Sequence, residues 1–174
     1  MIIISVGRIE KEILRLVSKI IKEKFGIKSK IVEVEIETIS KAFDEKRNQY
    51  RGKEIIEILS KKFKEKILGI LNADVYEDGL NFIFGEAQLF GKVAFVSIFR
   101  LNPKFYGIEN RELFLERIEK EVTHELGHLF GLSHCERKCV MRFSNSIYEV
   151  DEKSKSFCKY CEGKLKKFLK FKDN

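Results

Sequence analysis

The stretch HELGHLFGLSHCERKCVM runs from His124 to Met141. It contains all three histidines of the 174-residue chain and two of its four cysteines. Imidazole and thiolate groups are the protein ligands that suit zinc and other transition metals. The concentration of these scarce residues in one short stretch therefore indicates metal binding, and the rest of the chain can be interpreted from it.

A long helix carries the first two of these histidines. Apolar residues recur every three or four positions along Asn110–Gly131, and the asparagine at its start can cap the first turn. His124 and His128 are four residues apart and therefore project from one face, at the spacing that two zinc ligands need. The glycine at the end of the helix can turn the chain back. His134 can then supply a third ligand and leave one coordination position open, as in catalytic zinc sites.

Glu125 directly follows the first histidine, so it lies about 100° further around the helix. At that angle it sits beside the metal without binding it. We therefore predict that Glu125 is the general base that removes a proton from the attacking water. A histidine pair at helical spacing also occurs on ordinary polar helix faces. The additional glutamate, glycine and third histidine at set spacings favour a catalytic zinc site here.

The pattern HExxHxxGxxH, from His124 to His134, matches the metzincin zinc-protease signature in full. The chain resembles the archaemetzincin family in particular, on the residues Cys135, Cys139, Met141, Cys158 and Cys161. This resemblance implies a zinc-dependent metallopeptidase, with Met141 as the Met-turn residue packed beneath the zinc-binding histidines. One spacing departs from the family pattern, because three residues rather than four separate the first two cysteines.

The four cysteines form two short pairs, Cys135-x-x-x-Cys139 and Cys158-x-x-Cys161. Each pair can supply two corners of a tetrahedron, and four thiolates close the coordination shell of a structural zinc ion. Two disulfides or free buried thiols are the alternatives, which a cytosolic location disfavours. A catalytic zinc bound by Cys135 in place of His134 would leave only three cysteines for the other ion. We therefore expect two zinc ions per chain, one catalytic and one structural.

Composition limits the class of protein. Apolar residues make up 44% of the chain and charged residues 35%, which is typical of globular proteins. No apolar run reaches the roughly 18 residues of a membrane span. Arg8 and Glu10 also interrupt the apolar N-terminus too early for a secretory signal. We expect a cytoplasmic monomer without membrane contact.

The net charge of +7 leaves a second function open. A basic chain with a four-cysteine site and a lysine-rich tail at Lys164–Lys172 could be a non-enzymatic zinc module that binds nucleic acid or another acidic partner. However, no stacking motif or recognition helix accompanies the lysines. A binding module also needs no glutamate beside an open zinc. A peptide or protein substrate is therefore the expected partner, and the tail is predicted to be an amphipathic helix docked on the domain.

The alternation of strand-like and helix-like segments predicts a mixed sheet flanked by helices. With the resemblance, this implies an α+β fold. We expect one compact metzincin-like domain over 1–174, whose mixed, twisted sheet is flanked by an N-terminal helix and the active-site helix, with a zinc-stapled C-terminal segment. Residues 1–109 would form the upper part. Residues 110–174 would form the active-site helix, the Met-turn and the four-cysteine segment.

Individual elements are predicted from periodicity. Strands are expected at Met1–Val6, Ile31–Ile36, Ile67–Val75, Leu80–Phe84 and Val93–Phe99, and further helices at Ile9–Phe25, Lys53–Lys66 and Gly163–Phe171. Leu132–Phe157 is expected to be irregular, with Tyr148 in a core or surface role. The resemblance also implies that an edge strand from Gly85–Ser97 pairs with the extended substrate.

Overall fold

A computed structural model describes residues 1–170, in which a five-stranded sheet has helices on both faces. The strands are β1 (Ile2–Val6), β2 (Lys30–Val34), β3 (Phe43–Asp44), β4 (Gln49–Arg51), β5 (Ile67–Leu71), β6 (Val75–Tyr76), β7 (Gly85–Ala87) and β8 (Val93–Ser97). The α-helices are α1 (Lys11–Phe25), α2 (Gly52–Lys62), α3 (Arg111–Leu129), α4 (Ile147–Glu152) and α5 (Lys159–Lys170). No helix among these residues is both long and apolar enough to cross a bilayer.

The large sheet has the strand order β2-β1-β5-β8-β7. Its first four strands are parallel, and β7 pairs antiparallel with β8 at one edge. Every residue of β1 is buried because both faces of the sheet are covered. Ile3 joins the core beneath α1 and α3, whereas Ile2 and Ile4 join the core beneath α2. The continuous apolar run at the N-terminus therefore reflects two buried faces.

Helix ends follow the local sequence closely. α1 ends at Gly26, which adopts the left-handed conformation (φ 69°) and donates its N–H to carbonyls of the last turn. α3 begins after Asn110, whose side-chain oxygen accepts a hydrogen bond from the N–H of Leu113 at 2.9 Å. Both ends agree with the predictions, and Asn110 sets the start of the helix that carries the histidines.

The predicted α+β class, with a mixed sheet, the N-terminal helix and the active-site helix, is confirmed. Two strand predictions were wrong. Ile67–Val75 is divided, because β5 ends at Leu71 and β6 joins a second sheet of order β3-β4-β6. Leu80–Phe84 forms no strand. The strand that forms a hairpin with β8 is instead Gly85–Ala87. A strand is defined by its pairing with β8, and apolar character alone does not fix that register.

The C-terminal region is more regular than predicted. α4 lies within the supposedly irregular Leu132–Phe157 and is capped by Ser146. The last helix begins at Lys159, four residues earlier than predicted, and Phe171 lies outside the described residues. Leu165 is buried in the main core while Lys164, Lys166 and Lys167 are exposed. The described part of the tail is therefore a docked amphipathic helix.

Candidate active site

The three histidines converge at the C-terminal end of α3. His124 is buried, His128 is half-buried and His134, in the segment after the helix, is exposed. One ring nitrogen from each lies within 4.8 Å of the other two. The Nε2 atoms of His124 and His128 are 3.0 Å apart. A tetrahedral ion with zinc–nitrogen bonds of 2.0–2.1 Å would separate its ligand atoms by about 3.4 Å, so this cluster has the size of a zinc site.

Hydrogen bonds fix which nitrogen of each ring faces the cluster. Nδ1 of His124 donates to the carbonyl of Val140 at 2.9 Å, and Nδ1 of His128 donates to the carbonyl of Leu132 at 2.7 Å. The two Nε2 atoms are then unprotonated acceptors that face each other. Burial lowers the pKa of His128 to about 4, so no shared proton joins them at neutral pH. The donor set therefore fits a cation that binds both lone pairs.

Glu125 is buried next to the histidines, and its packing involves the edge of the sheet. A Cβ atom on Gly85 would lie 2.7 Å from Cγ of Glu125, so the backbone of β7 touches this side chain directly. Burial raises the pKa of Glu125 well above its usual range, and the carboxylates of Glu121 and Glu86 raise it further. Lys153 acts in the opposite direction. The side chain thus has a fixed position and a raised proton affinity.

A cleft of about 470 Å³ opens onto this cluster. Its walls come from the segment that ends in β7, from α3 and from the segment after Met141. All three histidines and Glu125 line it, together with the apolar side chains of Phe82, Leu89 and Phe143. β7 is an edge strand of the sheet and forms part of one wall. The arrangement can therefore receive an extended chain beside a metal and a carboxylate.

Met141 is fully buried beneath α3. A Cβ atom on Gly127 would collide with its sulfur, so Met141 packs on the helix backbone between the first two histidines. Its carbonyl accepts a hydrogen bond from the N–H of Cys135 at 3.0 Å. Phe143, two residues later, contacts the ring of His134 with centroids 5.1 Å apart. Tyr148 is 76% exposed on α4 and does not line the cleft.

The four cysteines lie directly behind His134. One sulfur from each lies within 4.8 Å of the others, and the sulfurs of Cys135 and Cys158 are 3.9 Å apart. Zinc–sulfur bonds of 2.3 Å imply an edge of about 3.8 Å for a tetrahedron of thiolates. None of the four is in a disulfide. The backbone N–H of Cys161 lowers the pKa of Cys158 to about 7, which favours the thiolate.

A second buried stripe on α3 is polar, and the sequence reasoning missed it. Apolar residues of α3 face the sheet, whereas Arg117, Lys120, Glu121 and His124 are buried on another side. Arg117 binds Asp151 through two contacts of 2.7 Å, and Lys120 donates to the carbonyl of the same aspartate at 2.7 Å. The helical spacing of these residues is visible in the sequence. A charged stripe on a helix is ordinarily exposed to solvent, however. These side chains are buried here only because α4 docks against them.

The model of peptidase family M54 matches residues 3–167. The chain belongs to peptidase family M54. The archaemetzincin of Pyrococcus horikoshii is 49% identical to this M54 peptidase over 153 residues, which cover 84% of this chain and 81% of that relative.

Two solved structures have similar folds. The archaemetzincin of Methanopyrus kandleri has a TM-score of 0.83 and 37% identity, covering 98% of this chain and 96% of that one. The zinc-dependent peptidase of Methanocorpusculum labreanum has a TM-score of 0.83 and 29% identity, covering 95% of this chain and 100% of that one. The resemblance to the archaemetzincins is confirmed, and this M54 peptidase is a zinc metallopeptidase. The alternative of a non-enzymatic binding module is not favoured.

Proposed function

We propose that this M54 peptidase hydrolyses peptide bonds at a zinc ion held by His124, His128 and His134, with Glu125 as the general base. The observation that carries the proposal is the pair of Nε2 atoms 3.0 Å apart, both turned toward the cleft side by hydrogen bonds to carbonyls. Zinc bound there would supply a Lewis acid that polarises the scissile carbonyl and acidifies water. We expect the natural substrate to be a peptide or protein.

Glu125 would take a proton from the attacking water and return it to the leaving amine. A base that also acts as an acid works best with a pKa near the operating pH. The burial that raises the pKa of Glu125 supports this double role. The close packing of Gly85 against Glu125 supports a fixed orientation of the carboxylate during both transfers. The free side of β7 would pair with the extended peptide and hold its carbonyl beside the base.

A second zinc ion would be held by Cys135, Cys139, Cys158 and Cys161 in a structural role. Four thiolates leave no coordination position for substrate. The four-cysteine site would join the segment after His134 to the start of α5. Its first member, Cys135, directly follows that histidine. Met141 packs on Gly127 and accepts a hydrogen bond from the N–H of Cys135, which supports its assignment as the Met-turn residue. The second ion would therefore stabilise both the third histidine and the turn beneath the first two.

Elemental analysis and peptide cleavage test these roles together. We expect two zinc ions per chain in the parent and one in the variant His124→Ala/His128→Ala. Glu125→Gln should keep both ions while its kcat falls by at least about 100-fold, because it removes a general base without removing a ligand.

Retention of the parent rate by zinc-loaded Glu125→Gln would contradict the mechanism. An unchanged zinc content in the double histidine variant would contradict the assignment of the catalytic ion. Tyr148→Phe is a suitable control in the same region, since this exposed side chain lies outside the cleft and should leave both quantities unaltered.

A further inference from the structure

A buried ion pair lies beneath the cleft and has no part in the proposed chemistry. Nζ of Lys153, which directly follows α4, is 2.6 Å from Oε1 of Glu121, and their side chains are 1% and 4% exposed. The two atoms lie outside hydrogen-bonding geometry, so the attraction is electrostatic. Burying two charges carries a large desolvation cost that the attraction only partly offsets. The pair is therefore poorly explained by stability alone.

Its location connects the pair to the general base. Glu121 precedes Glu125 by four residues on α3, and both side chains line the cleft. The ammonium group of Lys153 attracts Glu125 as well as Glu121. Glu86 and Glu77 add further carboxyl groups to the walls, and no lysine or arginine among residues 1–169 lines this cleft. Lys153 thus provides positive charge from behind the cleft wall.

Loss of Lys153 would leave the Glu121 carboxylate buried and unpaired. An isolated buried carboxylate is strongly disfavoured, so the side chain would turn into the cleft to reach water. The cleft at that point already contains Glu125, one helical turn away. The displaced carboxylate would repel the base and occupy space that the reacting peptide needs.

We propose that Lys153 and Glu121 are a positioning pair, in which Lys153 holds the Glu121 carboxylate away from Glu125 so that the base keeps its orientation toward the substrate. This inference rests on the proposed role of Glu125. It assigns a function in catalysis to a lysine 28 positions beyond the base, on the far side of both the Met141 turn and α4.

The same helix–helix contact contains a matched control pair. Arg117 is 4% exposed and binds Asp151 at 2.7 Å, so it also joins α3 to α4 through a buried charge. Neither residue of this second pair lines the cleft. If the two pairs served only to attach α4, their removal would affect stability and activity alike. A positioning role predicts that only the Lys153–Glu121 pair affects turnover.

Four zinc-loaded variants test the proposal: Lys153→Met, Glu121→Gln, the double variant Glu121→Gln/Lys153→Met, and Arg117→Met. Thermal unfolding, zinc content, kcat and KM are measured for each on one peptide substrate. We expect Lys153→Met to lower kcat at least about tenfold with KM changed less than about twofold, because the loss concerns the base rather than binding. The double variant should recover most of kcat, and Arg117→Met should unfold at a lower temperature with parental kcat.

A Lys153→Met variant with parental kcat, or a double variant as slow as the single one, would overturn the proposal. Loss of zinc from Lys153→Met would also overturn it, because the pair would then act on the ligands. If Lys153→Met does not fold, Lys153→Gln takes its place, because it also leaves the Glu121 carboxylate unpaired, and a kcat within about twofold of the parent would then overturn the proposal. Glu121→Gln removes that carboxylate and should keep kcat within about twofold of the parent. Failure of the general-base assignment is distinguishable, since zinc-loaded Glu125→Gln would then remain active.

Discussion

At the scale of single residues, the position of Glu125 depends on a glycine 40 positions earlier in the chain. A Cβ atom at Gly85 would lie 2.7 Å from Cγ of Glu125, 2.9 Å from its Oε1 and 2.7 Å from the backbone oxygen of Phe95. The Phe95 carbonyl belongs to the neighbouring strand β8 and cannot move independently. Even a methyl group would therefore displace either the edge strand or the side chain of Glu125, the proposed general base.

We expect Gly85→Ala to lower kcat/KM by at least about tenfold, because a misplacement of roughly 1 Å can cost two orders of magnitude in rate. Zinc content should stay at the parental value, since the three atoms nearest to that Cβ belong to Glu125 and Phe95 rather than to a histidine. Gly163→Ala is the matched control, because no atom lies within 4 Å of a Cβ built at that position. Parental kcat/KM in Gly85→Ala would show that the cleft tolerates the added methyl group.

At the scale of elements, α3 combines three different functions along its length. Its first turn is capped by Asn110, its apolar stripe packs on the sheet, and its last turns carry His124 and His128. The polar stripe faces α4, where Arg117 and Lys120 reach Asp151. The helix is therefore fixed by a cap at its first turn and by contacts with α4 near its middle. Stability at the capped end and catalysis at the other end should be separable.

The variant Asn110→Ala tests this separation. Loss of the hydrogen bond to the N–H of Leu113 should cost about 1 kcal/mol of folding free energy. For a chain of this size, that loss lowers the midpoint of thermal unfolding by about 2–4 °C. Asn110→Ser keeps a capping oxygen and should stay close to the parent. A fall in kcat at temperatures where Asn110→Ala is fully folded would show that the two ends are coupled.

At the scale of the whole molecule, the chain has a sheet-centred part and a C-terminal part with little sheet structure. Strands β1, β5 and β8 are entirely buried and pair along their full length. After α3, the residues that the structure describes, up to 170, form only two helices and irregular segments, and Cys135, Cys139 and Cys161 are buried among them. A structural metal would replace the missing backbone pairing in this region.

Removal of metal by a chelator should therefore loosen the C-terminal part and leave the sheet-centred part intact. We expect faster amide hydrogen exchange in residues 132–161 while β1, β5 and β8 retain their protection, as measured by mass spectrometry of peptic fragments. The variant His124→Ala/His128→Ala controls for the catalytic ion, and it should keep the protection of residues 132–161 before chelation. Uniform loss of protection across the sheet would show that the two parts unfold together.

Local spacing was sufficient to predict much of this protein. The helix with its histidines, the capping residue Asn110, the glycine end of α1 and the mixed sheet all follow from periodicities within single segments. The predicted strand Leu80–Phe84 was wrong because apolar character does not by itself supply a pairing partner, and only Phe84 of this run is buried. α4 was missed because a helix of six residues has too few turns to show a stripe.

The amino-acid sequence alone indicates the potential ligands and the potential base, because residues four apart on one helix are neighbours in any fold that keeps the helix. Only the tertiary structure brings Gly85, Phe143 and Lys153 to that helix. Their contacts depend on how the hairpin, the Met141 turn and α4 pack against α3. No repeat within a segment encodes such packing, since it arises from complementary surfaces that are far apart along the chain.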